Sequence, residues 1–547
     1  MADTKREIER KFEFTTAKAA RRGIPDLAGT ARIASVADRG TVDLDAVYYD
    51  TPDQRLAADG LTLRRRTGGA DAGWHLKLPV SPGVRDEIGA PLSDTVPRSL
   101  AALLRSRVRE GGLEPRVRLL SSRRVSHLLD ADGTVLAELS TDSVRAEAGQ
   151  TGEGQAGAGQ RGAGQAGAGQ AGGRPADAGQ AAAVGRAGAG AVATWTEIEV
   201  ELAEGTDPAL LDAVEKTFRK AGIRVSDSPS KLARALAETG TAPAPRPAPG
   251  PAEDTAGAHV LAYLRLQRDA LVAQDPAVRR ALPDSVHQMR VASRRIRSAF
   301  KTFRKVLDRT ATDPLGEELR WLAAELGVDR DQEVLHARIQ DHVAGLPRPL
   351  LQGPVRGRLR TWHAARRSGS RRRALAALDS KRYLALLDAL DALLADPPLR
   401  PAADKPARKV LPKAVLRDHD RLARRIAAAL DLDPGTERDH ALHDARKAAK
   451  RARYAAEAAT EALGKPAKRQ AKAMKAVQTL LGEHQDSVVA RDALRDIGLQ
   501  ATAAGDSAFT WGVLYAREEA LAATCERELP DVWAKACEPA RRAALTP

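Results

Sequence analysis

Charge alternates with period two along two short segments of the N-terminal half. Glu7, Glu9 and Lys11 run through Glu-Ile-Glu-Arg-Lys, and Glu197, Glu199 and Glu201 run through Thr194-Trp-Thr-Glu-Ile-Glu-Val-Glu-Leu202. Successive side chains of a β-strand point to opposite faces, so each triplet shares one face. In the second segment Ile198, Val200 and Leu202 line the other face. Charges packed on one sheet face repel or demand partners. Two carboxylates beside a lysine suit a divalent cation that holds a phosphate.

A lone E-x-E is most simply a solvated edge, but the segments in between repeat the pattern. Arg64 and Arg66 alternate in Gly60-Leu-Thr-Leu-Arg-Arg-Arg66, Lys77 sits in Trp74-His-Leu-Lys-Leu-Pro79, and Arg85 and Glu87 alternate next. Arg123 and Arg124 open a run through Leu128 and Leu129; after the turn Asp130-Ala-Asp-Gly133 come Glu138 and Asp142. Strand after strand offers one charged face of both signs. Such a sheet cannot enclose an ordinary core, but it can close into a barrel whose lumen holds water, metal and a polyanion.

These residues, with Tyr49-Asp50-Thr51 and Ser230-Lys231, occur in an order that resembles the CYTH domain, the triphosphate tunnel metalloenzymes, over roughly residues 3–239. The resemblance implies an eight-stranded antiparallel tunnel that hydrolyses, or in some members cyclises, triphosphate-containing substrates with Mg²⁺ or Mn²⁺. It implies that Lys11, Arg64, Arg66, Lys77, Lys231 and either Arg123 or Arg124 clamp phosphate oxygens, with Lys11, Lys77 and Lys231 serving the chemistry. It implies too that Glu7, Glu9, Glu199 and Glu201 would hold the cation, with Glu138 and Asp142 as further candidates. The choice between Arg123 and Arg124 stays open, because a one-residue strand shift swaps the face.

At 547 residues the chain is long enough for two or more domains. A formal net charge of +15 points toward polyanions without choosing among nucleic acid, membrane surface and polyphosphate. Cys525 and Cys537 show no metal-ligand spacing; on one helix they lie about 18 Å apart, too far to bridge, and read as reduced thiols of a cytoplasmic protein. No apolar leader opens the sequence and no uncharged stretch approaches the roughly 20 residues of a membrane span. Residues 147–193 repeat Gly-Ala-Gly-Gln with almost no large apolar side chain and are expected to be a disordered insertion at the tunnel rim. Residues 240–255, rich in Pro and Ala, read as an extended linker.

Beyond the linker, residues 256–545 read as long helices. Ser285-Val-His-Gln-Met-Arg-Val-Ala-Ser-Arg-Arg-Ile-Arg297 is answered by Ala441-Leu-His-Asp-Ala-Arg-Lys-Ala-Ala-Lys-Arg-Ala-Arg453, and Leu326-Gly-Val-Asp-Arg-Asp331 by Leu481-Gly-Glu-His-Gln-Asp486, both about 155 residues on. An internal two-fold repeat follows. At 100° per residue His287, Arg290, Arg294, Arg297 and Lys301 fall within an arc of about 80°, opposite Met289, Ile296, Ala299, Phe300 and Phe303. His443, Arg446, Lys450 and Arg453 repeat the stripe. Solvation alone would require neither matched histidines nor matched register. This half resembles the CHAD domain over roughly residues 256–540, which implies inorganic polyphosphate binding by the two stripes, with Asp331 and Asp486 pairing with the basic residues rather than ligating metal.

The expected architecture is α+β: a CYTH-like tunnel at 1–239, a linker at 240–255 and an all-α CHAD-like domain at 256–545. The expected activity is metal-dependent hydrolysis of inorganic triphosphate or short polyphosphate. Alternatives are a polyphosphate receptor without chemistry, and a tunnel acting on an organic triphosphate as an adenylate cyclase or thiamine triphosphatase. Nucleic acid ranks lower, since the stripes have few aromatic residues for base stacking. The expected location is cytoplasmic, with polyphosphate granules as a destination.

Overall fold

The computed structural model describes residues 3–148, 191–242, 252–367 and 369–546. The expected disordered insertion and the linker therefore lie largely outside the described residues. The chain divides into two compact units, Met1–Arg246 and Pro247–Pro547.

Nine strands build the first unit: β1 (Asp3–Phe14), β2 (Ser35–Asp50), β3 (Thr62–Thr67), β4 (Gly73–Ser81), β5 (Val84–Ala90), β6 (Glu114–Leu129), β7 (Val135–Ala148), β8 (Val192–Leu202) and β9 (Ile223–Val225). They lie in the order β5-β4-β3-β2-β6-β7-β8-β1-β9, and β5 also pairs with β1. The first eight strands thus close an antiparallel barrel, while the short β9 hangs on β1. Directly opposed residues share a face. Register sets Glu9 against Glu201 and Lys11 against Glu199, Glu138 against Glu201, Arg123 against Asp142 and Lys77 against Glu87. Every one of these side chains shares the inward parity, so the barrel is charged within.

Its apolar burial lies on the outside. Phe12, Ile198 and Val200 pack under Leu211, Val214 and Phe218 of the Ala209–Lys220 helix, with the Phe12 and Phe218 rings edge to face at 4.9 Å. Leu63, Trp74, Leu76 and Ile88 pack under the Arg98–Val108 helix. One end of the lumen is apolar as well. Ala46, Tyr48, Val117, Leu119, Val144 and Trp195 carry the inward parity and pack on Leu232, Ala235 and Leu236. These last belong to the Lys231–Glu238 helix, which closes that end; Ser230 Oγ caps it by accepting from the Ala233 amide at 3.0 Å.

The second unit is all helix among its described residues. The two sequence-paired segments fall on the Ser285–Thr302 and Thr436–Ala458 helices, which contact each other. Ala445, Ala448, Ala449 and Ala452 are buried, and these small side chains allow close approach to the 39-residue Lys465–Ala503 helix. Met289, Ile296, Ala299, Phe300 and Phe303 enter the core as expected. Cys525 and Cys537 are free thiols. Among the described residues no helix is long and apolar enough to cross a membrane.

Candidate functional site

The charged part of the lumen is a cavity of about 560 Å³. Lys11, Arg64, Arg66, Lys77, Arg123 and Lys231 line it together with Glu7, Glu9, Glu138, Glu199 and Glu201. Cations and carboxylates interlock. Lys11 pairs with Glu199 and lies 3.4 Å from Glu9; Lys77 is 2.6 Å from Glu7 and 3.5 Å from Glu87; Lys231 is 2.6 Å from Glu199. Burial penalises each charge, and the pairing offsets that penalty. For Glu9 burial acts upward but Lys11, Lys77, Arg85 and Lys231 outweigh it, holding the carboxyl below the usual range. Glu7 goes the other way: burial, then its contact with Glu87, pushes it up to about 8.

The structure resolves one choice left open by the sequence and moves one candidate out of the cavity lining. Arg124 faces outward, because β6 sets it opposite Thr41 and Thr141 on the far side of the pleat, and its exposed guanidinium pairs with Asp38 at 2.6 Å. Arg123 is the inward residue. Asp142 does not line the cavity: fully buried, it accepts from Arg123 on both oxygens, at 2.8 Å each, and pairs with Lys231 at 2.9 Å. It fixes two cations, and they hold it well below the usual carboxylate range against the upward push of burial.

Other residues at the lumen were not among the expected site residues. His75 Nδ1 is 2.6 Å from Glu87, and the Tyr48 hydroxyl meets Arg64 Nη1 at 3.5 Å. Glu197, 1% exposed, lies 3.5 Å from both Lys11 and Lys231 and accepts from Trp195 Nε1 at 3.2 Å. Its position in the Glu197/Glu199/Glu201 alternation was the signal. The carboxylates that line the cavity offer only oxygen, without sulfur or a histidine cluster among them. This donor set fits a hard divalent cation such as Mg²⁺ or Mn²⁺.

The helical unit holds a second cationic cavity, of about 830 Å³. His287, Arg290 and Arg294 reach it from one helix, and His443, Arg446, Lys450 and Arg453 from the other. Among the described residues Asp486 is the carboxylate in its lining, 3.5 Å from Arg446; the side chain of Asp331 lies outside the described residues. Arg294 and Lys450 have no carboxylate within 4.0 Å among the described residues. Burial, then Arg446 and Arg294, lowers Lys450 to about 8. Burial and the nearby Lys447 hold His443 below its ordinary value, which leaves it a neutral hydrogen-bonding group at neutral pH. Arg297 departs from the expected set: although on the same arc, it opens into a neighbouring cavity with Lys301.

Arg295 and Arg338 also line the main helical cavity. Arg338 comes from the Gly327–Ala344 helix and is held by both oxygens of fully buried Glu518, at 2.8 Å each. Nothing in the sequence ties those two residues together. Elsewhere Asp439, His484 and Glu526 bring ligand atoms within 4.8 Å of one another. Arg491 and Arg438 already pair with these carboxylates, at 2.8 and 3.1 Å. His484 Nδ1 is buried without a hydrogen-bond partner, whereas a metal at Nε2 requires an acceptor there.

A family model for the CYTH domain matches residues 5–236 and one for the CHAD domain matches residues 262–495. The chain is 37% identical over 544 residues to the uncharacterized proteins MT2285 and Rv2226 of two Mycobacterium tuberculosis strains, covering 98% of this chain and 97% of each relative. Among solved structures, PptA from Streptomyces chartreusis is 24% identical over 51% of this chain and 99% of its own, with a TM-score of 0.43. The putative adenylyl cyclase HpAC1 from Hippeastrum, described as having a dominant triphosphatase activity, is 17% identical over 42% of this chain and 95% of its own, with a TM-score of 0.22. With both domains matched in order and relatives aligned along nearly their whole length, the chain belongs to the family of proteins in which a CYTH domain precedes a CHAD domain.

Proposed function

We propose that the tunnel hydrolyses inorganic triphosphate or short polyphosphate and that the helical domain binds polyphosphate through its cationic cavity. The observation that carries the reading is a closed lumen in which Lys11, Arg64, Arg66, Lys77, Arg123 and Lys231 face one cavity with Glu7, Glu9, Glu138, Glu199 and Glu201. The cations match the charge of a triphosphate, and the carboxylates match that of its counter-cation. Bound Mg²⁺ or Mn²⁺ would neutralise phosphate charge and lower the pKa of a water. Arg64, Arg66 and Arg123 would fix the chain of phosphates, and Lys11, Lys77 and Lys231 would meet the charge that develops on the leaving oxygen.

Tyr48, His75 and His127 are the lining residues with a ring that a nucleobase or thiamine could stack on. Tyr48 is packed against the plug helix and His75 is tied to Glu87, which favours an inorganic substrate over an organic triphosphate. The two halves of the helical domain are read as a duplication whose basic helices converge on one polyanion groove, so the domain would supply substrate to the tunnel or direct the protein to polyphosphate granules.

The test is phosphate release by the full-length protein from tripolyphosphate, long-chain polyphosphate, ATP and thiamine triphosphate. It is run with Mg²⁺, Mn²⁺ or EDTA, and beside Glu9→Gln. Metal-dependent release from tripolyphosphate that vanishes in the variant supports the reading. Release confined to an organic triphosphate, or silence on all four, overturns it.

A further inference from the structure

The basic arc of the Ser285–Thr302 helix does not end at the main helical cavity. Arg297 and Lys301, followed by Arg304, open into a second cavity of about 610 Å³ whose walls also carry Arg309, Arg421 and Arg451. The two carboxylates in that lining, Asp313 and Glu317, are both engaged: Asp313 holds Arg309 at 2.6 Å and Glu317 holds Arg320 at 2.5 Å. Arg451 is turned toward Asp418, at 2.9 Å, and the Lys301 carbonyl, at 2.7 Å. Among the described residues Arg297, Lys301 and Arg304 have no carboxylate within 4.0 Å.

Cations gathered without counter-charge raise the free energy of the fold unless an anion joins them. The two cavities also share walls. Arg294 lies in the first and Lys301 in the second, seven residues and about 10 Å apart along one helix axis. On the facing helix the adjacent residues Lys450 and Arg451 divide between them in the same way. A compact anion can occupy one cavity; a linear polyanion can occupy both in succession.

We propose that the Arg297/Lys301/Arg304 cavity is a second phosphate subsite, filled by the same polyphosphate chain that enters the first. The helical domain then selects chains long enough to span both cavities over triphosphate, the substrate assigned to the tunnel. This rests on the polyphosphate reading above.

The test uses the full-length protein carrying Glu9→Gln in EDTA, so that the chain is not hydrolysed. Tripolyphosphate and long-chain polyphosphate are each titrated calorimetrically. An outer variant carries Arg297→Ala, Lys301→Ala and Arg304→Ala; an inner variant carries Arg294→Ala, Arg446→Ala and Lys450→Ala. The outer variant is expected to bind the long chain about tenfold more weakly, with a shallower salt dependence and unchanged triphosphate binding. The inner variant is expected to lose long-chain affinity as well. Lys301→Glu with Arg304→Glu, both at exposed positions, should repeat the outer loss with an unchanged melting temperature. Unchanged long-chain affinity in the outer variants, with loss in the inner one, overturns the second subsite and leaves the polyphosphate reading standing. Equal loss for both ligands in the outer variant overturns the selection for length. No loss in any variant overturns the polyphosphate reading itself.

Discussion

The guanidinium of Arg290 lies so close over Gly327 that a Cβ at that glycine would stand 3.0 Å from Nη2 and 3.1 Å from Cζ. Arg446 and Gly482 repeat the relationship with more room, the corresponding approach being 3.5 Å. Each glycine follows a leucine in the sequence-paired segments, Leu326-Gly and Leu481-Gly. Both leave space for an arginine that lines the main helical cavity.

The difference in approach predicts a difference in response. Gly327→Ala forces the Arg290 head aside by a few tenths of an ångström or more and should weaken polyphosphate binding several-fold. Gly482→Ala meets Arg446 at ordinary contact distance and should leave affinity unchanged. Because Gly482 lies inside a helix, alanine there should stabilise by about 0.5–1 kcal/mol and raise the melting temperature by about 2 °C. Calorimetric titration and thermal melts of both variants check this; equal affinity loss at both glycines would show that the spacing is not what matters.

On β6 the neighbouring arginines should separate cleanly. Arg124→Ala removes an exposed pair with Asp38, whose side chains are 66% and 51% exposed, and should leave both the melting temperature and turnover unaltered, since solvent screens such a pair. Arg123→Ala strips a guanidinium proposed to clamp phosphate and leaves Asp142 held by Lys231 alone. It should lower kcat/KM for tripolyphosphate about 100-fold and lower the melting temperature as well. Arg123→Lys should not restore activity, since a lysine cannot grip both Asp142 oxygens. Steady-state kinetics beside melts decide the matter.

How far the sequence reaches follows from what decides each position. Glu7, Glu9, Lys11, Glu199 and Glu201 were legible because a strand's period of two is rigid and their neighbours Ile198, Val200 and Leu202 are apolar. Arg123 and Arg124 were not separable, because parity depends on where β6 starts and β2 carries an irregularity opposite it between Asp38 and Gly40. Asp142 has the inward parity but too little reach to enter the cavity past Arg123 and Lys231, and depth is invisible to periodicity. On the Ser285–Thr302 helix the arc was read rightly, yet His287 and Lys301 are about 21 Å apart along the axis, longer than one cavity, so Arg297 serves another. Arg338 was illegible because its anchor, Glu518, comes from a helix 180 residues away.

Lys450 gives the helical domain a pH response. Burial, then Arg446 and Arg294, sets its pKa at about 8 instead of 10.5, against the opposing pull of Asp486. A lowered cation pKa means that the ammonium is lost as pH rises through about 8, while the unfolded chain keeps it to about 10.5. Stability from this group is therefore smallest below about 8 and grows between 8 and 10.5. Polyphosphate binding runs the opposite way, because phosphates favour the charged form. Affinity should fall between pH 7 and 9, and Lys450→Arg, charged throughout, should flatten that part of the profile. Binding isotherms at several pH values check both the slope and its loss.

In the tunnel, cation and triphosphate should bind far better together than apart. Lys11, Lys77 and Lys231 each pair with carboxylates of the lumen: Lys11 with Glu199, Lys77 with Glu7 at 2.6 Å and Glu87 at 3.5 Å, and Lys231 with Glu199 at 2.6 Å and Asp142 at 2.9 Å. Tripolyphosphate alone would draw the lysines away and leave carboxylates facing one another in a buried lumen; a divalent cation alone would leave lysines in the same position. Only the two together restore balance, so each should raise the affinity for the other by the same factor. Melting the Glu138→Gln variant, in which turnover is expected to be slower, should show a small shift with Mg²⁺ or with tripolyphosphate in EDTA. With both present the stabilisation should exceed the sum of the separate shifts, reaching about 2.7 kcal/mol at a hundredfold excess over Kd. Strictly additive shifts would mean that the lumen pairs are not what the ligands exchange with, and that cation and phosphate occupy independent places in the barrel.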